Sequence, residues 1–244
     1  IEMDDFVAQL RSVELHKDKR LELIKVLQEG NFHVDGDSTY HIAYIQNLYN
    51  LAKVRCIEGV SDDRINQDLG PILNSIYVDS LLGNWEAYAL DKAQALRYQL
   101  VLSSRQEMVD GVIFYHNMLS RMVDNPIYDE INMNSFNFVN ACFDNLLWRY
   151  PTQNEFTSGY NMVEFNQPAL LFGKTGQTKK DFINIVVGNQ EIYEGTIIWC
   201  YKQLVARQPT TTETFALLPD FLQHQKIERI QQQIMITDEY ANFK

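Results

Sequence analysis

The chain has 244 residues, of which 21 are Lys or Arg and 32 are Asp or Glu, so its formal net charge is −11. This charge disfavours nonspecific binding to nucleic acid, which depends on Lys and Arg neutralising phosphates, and it also disfavours an anionic membrane surface. The 45% hydrophobic content is that of a folded core, while 11 glycines and 6 prolines are few for the turns of a sandwich or barrel. We therefore expect an all-α protein without nucleic-acid partners.

Helical periodicity predicts the elements of the first half of the chain. Apolar residues recur at steps of three and four, and Gly30 and Pro126 end two of the series. Asp37-Ser38 and Asp62-Asp63 give start signals, and Gly70-Pro71 marks a break or a second start. The predicted helical segments span 6–27, 37–56, 62–82 and 85–123. This pattern predicts an N-terminal helical bundle over 1–124, followed by a linker over 125–135.

An internal repeat appears after the linker. Residues 142–155 read CFDNLLWRYPTQNE and residues 200–213 read CYKQLVARQPTTTE, with a constant offset. Both fit C-[FY]-x-x-L-[LV]-x-R-x-P-T-x-x-E. Repeats of this kind indicate stacked structural units, so we expect two tandem three-helix copies over 136–244, the first spanning 136–194 and the second 195–244.

Each copy of the motif has a physical interpretation. The Arg-x-Pro segment ends one helix, and Thr with Glu three residues later forms a capping box for the next. The arginine meets the end of the helix dipole and pairs with a glutamate, such as Glu191 or Glu239 from further along the chain. A recurrent Arg–Glu pair indicates a structural role, and an anion site is the functional alternative. The predicted structural residues are Arg149, Thr152, Glu155, Arg207, Thr210 and Glu213.

The first copy carries an insertion of ten residues around 165–178, with the apolar cluster Leu170, Leu171 and Phe172. Insertions in repeats map to surface loops, and loops often carry binding. Such a cluster either packs against the rest of the fold or is exposed and binds a partner. We take these three residues as the candidate partner-binding site.

The repeated motif resembles helical domains of bacterial proteins, namely phycobilisome linker domains and domains of unknown function in planctomycete and Bacteroidetes extracytoplasmic proteins. The resemblance covers 136–244, and those domains commonly have Leu-Gly-Arg where this chain has Leu147-Trp148-Arg149 and Val205-Ala206-Arg207. It implies a helical, non-catalytic, interaction-based role outside the cytoplasm. The chain begins at Ile1, so we expect that a signal peptide has been removed and that the protein lies in the periplasm or at the cell surface.

Other candidate chemistry is weak. Phe172-Gly173-Lys174-Thr175 resembles the end of a phosphate-binding loop, but Pro168 replaces its first glycine. The acidic stretch 35–39 lacks the glycine and glutamate of a calcium loop and indicates a turn with a helix cap. His116 fits a half-buried histidine at the edge of an apolar stripe. We predict no catalytic, cofactor-binding or metal-ligating residue.

The three cysteines, Cys56, Cys142 and Cys200, form no C-x-x-C pair. Free cysteine behaves as a small core hydrophobe, which is the default interpretation. A disulfide between the equivalent Cys142 and Cys200 is the alternative, and it needs Cα atoms within roughly 7 Å.

Two functional hypotheses follow. The first is a non-enzymatic interaction or scaffold subunit that docks with other proteins of an envelope complex, without inserting into the membrane, because no apolar run reaches the ~18–20 residues of a span. The second is a helical enzyme or small-molecule-binding protein whose site is assembled from distant residues.

Overall fold

The structure is a computed structural model that describes residues 8, 16–31, 33–35 and 38–241. Twelve helices lie in these ranges, and their only strands form two short antiparallel hairpins, so the predicted all-α class is confirmed. Residues 6, 7 and 9–15 of the segment predicted over 6–27, and the turn at 36–37, lie outside the described residues.

The elements follow one another with short connections. The first half contains α1 (Lys17–Glu29), β1 (His33–Asp35), β2 (Ser38–Thr39), α2 (Tyr40–Ile57), α3 (Asp62–Leu82), α4 (Trp85–Val109), α5 (Tyr115–Val123) and α6 (Pro126–Ile131). The second half contains α7 (Ser135–Leu147), α8 (Gln153–Phe165), β3 (Ala169–Leu171), β4 (Lys174–Gly176), α9 (Lys179–Val187), α10 (Glu191–Val205), α11 (Thr211–His224) and α12 (Ile227–Met235).

Three predicted boundaries were wrong. Helix α2 starts after Thr39 rather than at Asp37-Ser38, because the Thr39 hydroxyl accepts a hydrogen bond from the Ile42 amide at 3.2 Å. Helix α3 runs unbroken through Gly70-Pro71. The segment predicted over 85–123 is two helices, since Gly111 takes a left-handed backbone with φ of 70° just after α4 ends.

The predicted linker contains a helix. Pro126 occupies the first turn of α6, where its missing N–H is no loss, and the Asn125 side chain caps the helix by accepting from the Tyr128 amide at 3.1 Å. The Arg97 guanidinium of α4 donates to Asp129 at 2.9 Å. Residues 126–131 are therefore an ordered and tethered part of the fold.

The chain divides by its internal contacts into two compact units, residues 1–46 with 193–244, and residues 47–192. This division does not follow the boundaries at 124 and 136, which remain a prediction about sequence units. In the first unit, α1 packs on α12, with Arg20 donating to Asp238 at 2.7 Å and Gln28 donating to Gln231 at 3.1 Å.

The second unit has an aromatic core. Phe143 and Phe182 are fully buried and Phe138 nearly so, on helices α7 and α9. The Phe182 ring lies 6.2 Å from that of Phe138 and 6.3 Å from that of Phe143. Burial of such side chains contributes on the order of 2–3 kcal/mol each, so this cluster is a principal source of stability in the unit.

Candidate functional site

The first copy of the motif forms a compact ion-pair cluster. The Arg149 guanidinium donates to both oxygens of Glu155 at 2.7 and 2.9 Å and to Glu191 at 2.7 Å. Glu155 closes the capping box by accepting from the Thr152 amide at 2.7 Å, while its own amide donates to the Thr152 hydroxyl. The guanidinium also lies over the Phe143 ring, 5.2 Å from its centroid. We call this cluster an Arg–Glu junction.

The second copy builds the same junction. The Arg207 guanidinium donates to both oxygens of Glu213 at 2.7 and 2.9 Å and to Glu239 at 2.6 Å. Thr210 and Glu213 form the capping box, and the guanidinium lies 5.0 Å from the centroid of the Tyr201 ring. In each copy, the structure therefore brings together the three predicted motif residues, arginine, threonine and glutamate. It also places an aromatic ring beside each arginine, and these rings, Phe143 and Tyr201, occupy the [FY] position of the motif.

The electrostatics of both junctions indicate a structural role. The hydrogen bonds from the arginines lower the pKa of Glu155 and of Glu213 from 4.5 to about 2. Paired carboxylates in turn raise the pKa of Arg149 and Arg207. Because each guanidinium already holds two carboxylates, the junctions tie helix ends together and do not offer a free anion site.

The inserted segment is a β-hairpin on the second unit. Ala169 pairs with Gly176, Leu170 with Thr175 and Leu171 with Lys174. Phe172 and Gly173 form the two-residue turn, both with positive φ, which is the geometry of a tight hairpin turn and not of a phosphate-binding loop.

The three residues of the predicted partner-binding cluster differ in accessibility. Leu171 is 2% exposed and belongs to the core, while Leu170 is 62% exposed. The Phe172 ring lies 5.9 Å from that of Phe143. Leu171 and Phe172 thus pack against the rest of the fold, and Leu170 alone of the three is strongly exposed.

The remaining sequence candidates have ordinary structural roles. Cys56, Cys142 and Cys200 are all buried, which agrees with their interpretation as core residues, and none of them forms a disulfide within the described residues. Burial raises the pKa of Cys56 to about 12. Burial also lowers the pKa of His116 to about 4, so this histidine is neutral at physiological pH.

A long helical hairpin was missed as a candidate site. Helices α3 and α4 pack against each other and are joined by Gly83-Asn84, and no residue from position 70 to position 94 is buried. Large apolar side chains nevertheless point into solvent there, with Leu81 68% and Trp85 65% exposed. Soluble proteins rarely expose so many large apolar residues together unless the surface binds something.

These apolar residues include a set on one side of the hairpin. On α3 they recur every fourth residue, next to the half-buried stripe that faces α4. On α4 they lie on the same side. We call this set the hairpin face, and it consists of Leu73, Tyr77, Leu81, Trp85, Ala89 and Leu96. The sequence signal was available, since Leu73, Tyr77 and Leu81 form a second apolar stripe on a helix that already has one.

A cleft of about 380 Å³ also lies in the second unit. Arg64 and Asp68 form an ion pair at 3.0 Å on its wall. Its lining residues are Glu58, Val60, Arg64, Asp68, Ile127, Glu130 and Ile131. Its polar groups include no paired nucleophile and base, so the cleft defines no reaction.

Comparison with protein-family models, with curated proteins and with solved structures finds no match to this chain. No helix in the described ranges is long and apolar enough to cross a membrane. Within those ranges, no three His, Cys, Asp or Glu side chains are grouped so that they could hold a metal ion.

Proposed function

We propose that this chain is a non-enzymatic interaction or scaffold subunit of an extracytoplasmic protein assembly, and that the hairpin face is its principal docking surface. The observation that carries the proposal is the exposure of Tyr77, Leu81 and Trp85 on a hairpin with no buried residue between positions 70 and 94. Aromatic and aliphatic side chains of this size dominate the energetics of protein interfaces, so a partner that covers them gains binding free energy.

The inserted hairpin has a secondary part in this proposal. Leu170 is its strongly exposed apolar residue, and a docking role for the insertion rests on that side chain. Leu171 and Phe172 support it from below by fixing the hairpin on the second unit.

The tandem repeat and the location belong to the same proposal. The matching Arg–Glu junctions support the interpretation of 136–194 and 195–244 as two copies of one unit. Placement in the periplasm or at the cell surface rests on the sequence resemblance, and fractionation of the source cells tests it. Recovery of the protein with cytoplasmic markers would overturn the location without affecting the docking surface.

The docking surface is tested by photo-crosslinking in the source cells. A photoreactive phenylalanine derivative replaces Leu81, and in a control it replaces Phe215, an equally exposed residue of α11. We expect discrete protein adducts at position 81 and none of comparable yield at position 215, with Tyr77→Glu in the same chain abolishing the adducts. Equal or absent labelling at the two positions would contradict the proposal.

The alternative is a small-molecule-binding protein or helical enzyme, and it would use the cleft beside Arg64 and Glu130. A ligand that binds only the folded state raises Tm. A rise in Tm with a small molecule or metal ion that disappears in Glu130→Gln would favour this alternative over the scaffold function.

A further inference from the structure

In the exposed part of the hairpin, α3 carries two apolar stripes, as the helices of a helix bundle do. Ile72 and Ile76 are half-buried on the side of α3 that faces α4, and Leu73 and Tyr77 follow them directly in sequence. Successive side chains of an α-helix differ in direction by about 100° around the helix axis. The stripe of Ile72 and Ile76 and the stripe of Leu73 and Tyr77 therefore point in directions roughly a quarter-turn apart. A helix in a four-helix bundle contacts two neighbours at about that angle, whereas a helix in an isolated hairpin needs only one contact stripe.

Helix α4 presents its second stripe on the same side. Its stripe towards α3 includes the half-buried Tyr88 and the buried Ala95. The two helices are antiparallel, so a step of one residue along either helix rotates the side-chain direction towards the same side of the hairpin. Ala89 and Leu96 therefore join Leu73 and Tyr77 on the hairpin face. The result is a surface made by two helices that is apolar apart from Lys92.

The charge pattern of this surface fits a second copy of the chain. Two copies with a net charge of −11 each repel wherever their acidic groups meet. From position 70 to position 96 the charged residues are Asp79, Glu86, Asp91 and Lys92. Asp79 and Asp91 lie on the stripes between the two helices, and Glu86 projects from the back of α4 by its position in the helical turn. The hairpin face thus carries no acidic residue, and its one charged residue is Lys92, which lies between Ala89 and Leu96 at the same helical spacing and donates to the Tyr88 hydroxyl at 3.5 Å.

The area of the face is also that of a dimer contact. Taking about 200 Å² for a fully exposed large side chain, its five large residues leave about 600 Å² in water, against about 800 Å² per partner in a standard interface. The polar residues that border the face are expected to supply the remaining area, about 200 Å². The small Ala89 beside the large Trp85 and Tyr77 gives the alternation of sizes that lets two such surfaces interdigitate.

We propose that the hairpin face packs against the hairpin face of a second copy, so that two α3–α4 hairpins form an antiparallel four-helix bundle. This inference rests on the proposed function and names its partner. An isologous contact uses the same patch on both subunits, which requires a surface that is apolar and free of self-repulsion. The hairpin face is apolar apart from Lys92, and it has no acidic residue that would add to the repulsion between two chains of the same net charge.

Analytical ultracentrifugation of the purified full chain tests the inference. The wild type is expected to sediment as a dimer from low to high micromolar concentration. Tyr77→Glu and Leu81→Glu are expected to be monomeric with an unchanged circular dichroism spectrum, since both side chains are exposed. Leu81→Ala, which adds no charge, is expected to raise the dimer Kd by at least about tenfold.

Two control variants locate the contact. Leu90→Glu places the charge on α4 about 100° away from Ala89, at a leucine that is as exposed as Leu81, and Phe215→Glu places it on α11, and both are expected to remain dimeric. A monomeric wild type, or dissociation by Leu90→Glu as complete as by Leu81→Glu, would overturn the inference. A monomeric wild type that still forms adducts with another protein through position 81 in cells would leave the proposed function intact and refute only the second copy.

Discussion

Trp148 and Ala206 occupy the same position in the two Arg–Glu junctions, and both have the left-handed backbone, with φ of 57° and 56°. Each follows the last residue of its helix and precedes the arginine of the junction. The left-handed region favours glycine because a Cβ crowds the following carbonyl oxygen. A glycine at either position would relieve this crowding.

This strain predicts that Ala206→Gly stabilises the protein. We expect the free energy of unfolding to rise by about 0.5–1 kcal/mol, because Ala206 is exposed and loses no packing. Ala216→Gly is the matched control, since Ala216 is exposed inside α11, and glycine there should lower stability by about 0.5–1 kcal/mol. Urea denaturation measures both, and effects of the same sign would refute the prediction. Trp148→Gly should gain less, because the Trp148 ring lies 4.4 Å from the guanidinium of Arg55.

The junction carboxylates predict a loss of stability in acid. The pKa of Glu155 and Glu213 falls from 4.5 to about 2 in the folded protein, so their contribution is complete above pH 4.5 and disappears as the pH falls towards 2. We expect Glu155→Gln to lower stability at pH 7 by about 1–3 kcal/mol and to flatten the decline between pH 4.5 and 2. Urea denaturation at several pH values tests this, with Glu86→Gln as a control for net charge. A slope that is unchanged in Glu155→Gln would contradict it.

Two helical glycines should respond oppositely to alanine. A Cβ on Gly159 would lie 2.8 Å from the Phe182 ring and 3.0 Å from Val139 Cγ1, whereas a Cβ on Gly70 meets nothing within 4 Å. We expect Gly159→Ala to lower stability by about 1–3 kcal/mol through overpacking. Gly70→Ala should raise it by about 0.5–1 kcal/mol by restricting the unfolded chain. Thermal unfolding compares the two, and equal Tm values would show that the aromatic core tolerates the added methyl group.

Adjacent leucines of the inserted hairpin should also differ. Leu171→Asp buries a charge in the core and is expected to cost about 3 kcal/mol or more, while Leu170→Asp changes stability by no more than about 0.5 kcal/mol. Only Leu170→Asp therefore tests a docking role of the insertion without unfolding the protein. Urea denaturation of both variants checks the difference, and similar midpoints would mean that Leu171 is not a core residue in solution.

Local sequence determined the helices and most of each Arg–Glu junction. Helical periodicity depends on spacings of three and four residues, and Arg149 and Glu155 are only six residues apart, so the capping box and its ion pair are properties of a short peptide. The repeat made this interpretation firmer, because the same residues recur around Arg207 and Glu213. The break at Gly111 and the unbroken helix through Pro71 were missed, since the apolar periodicity continues past Gly111 and a Gly-Pro pair usually interrupts a helix.

Only the tertiary structure decided which apolar residues remain in water. Leu73 is as apolar as its neighbour Ile72, and Leu170 and Leu171 are the same type of residue. A second apolar stripe can be recognised in the sequence of one element, but whether another element covers it depends on the tertiary packing. The chain thus specifies its helices and junctions locally, whereas the hairpin face exists because no other described element covers that side of α3 and α4.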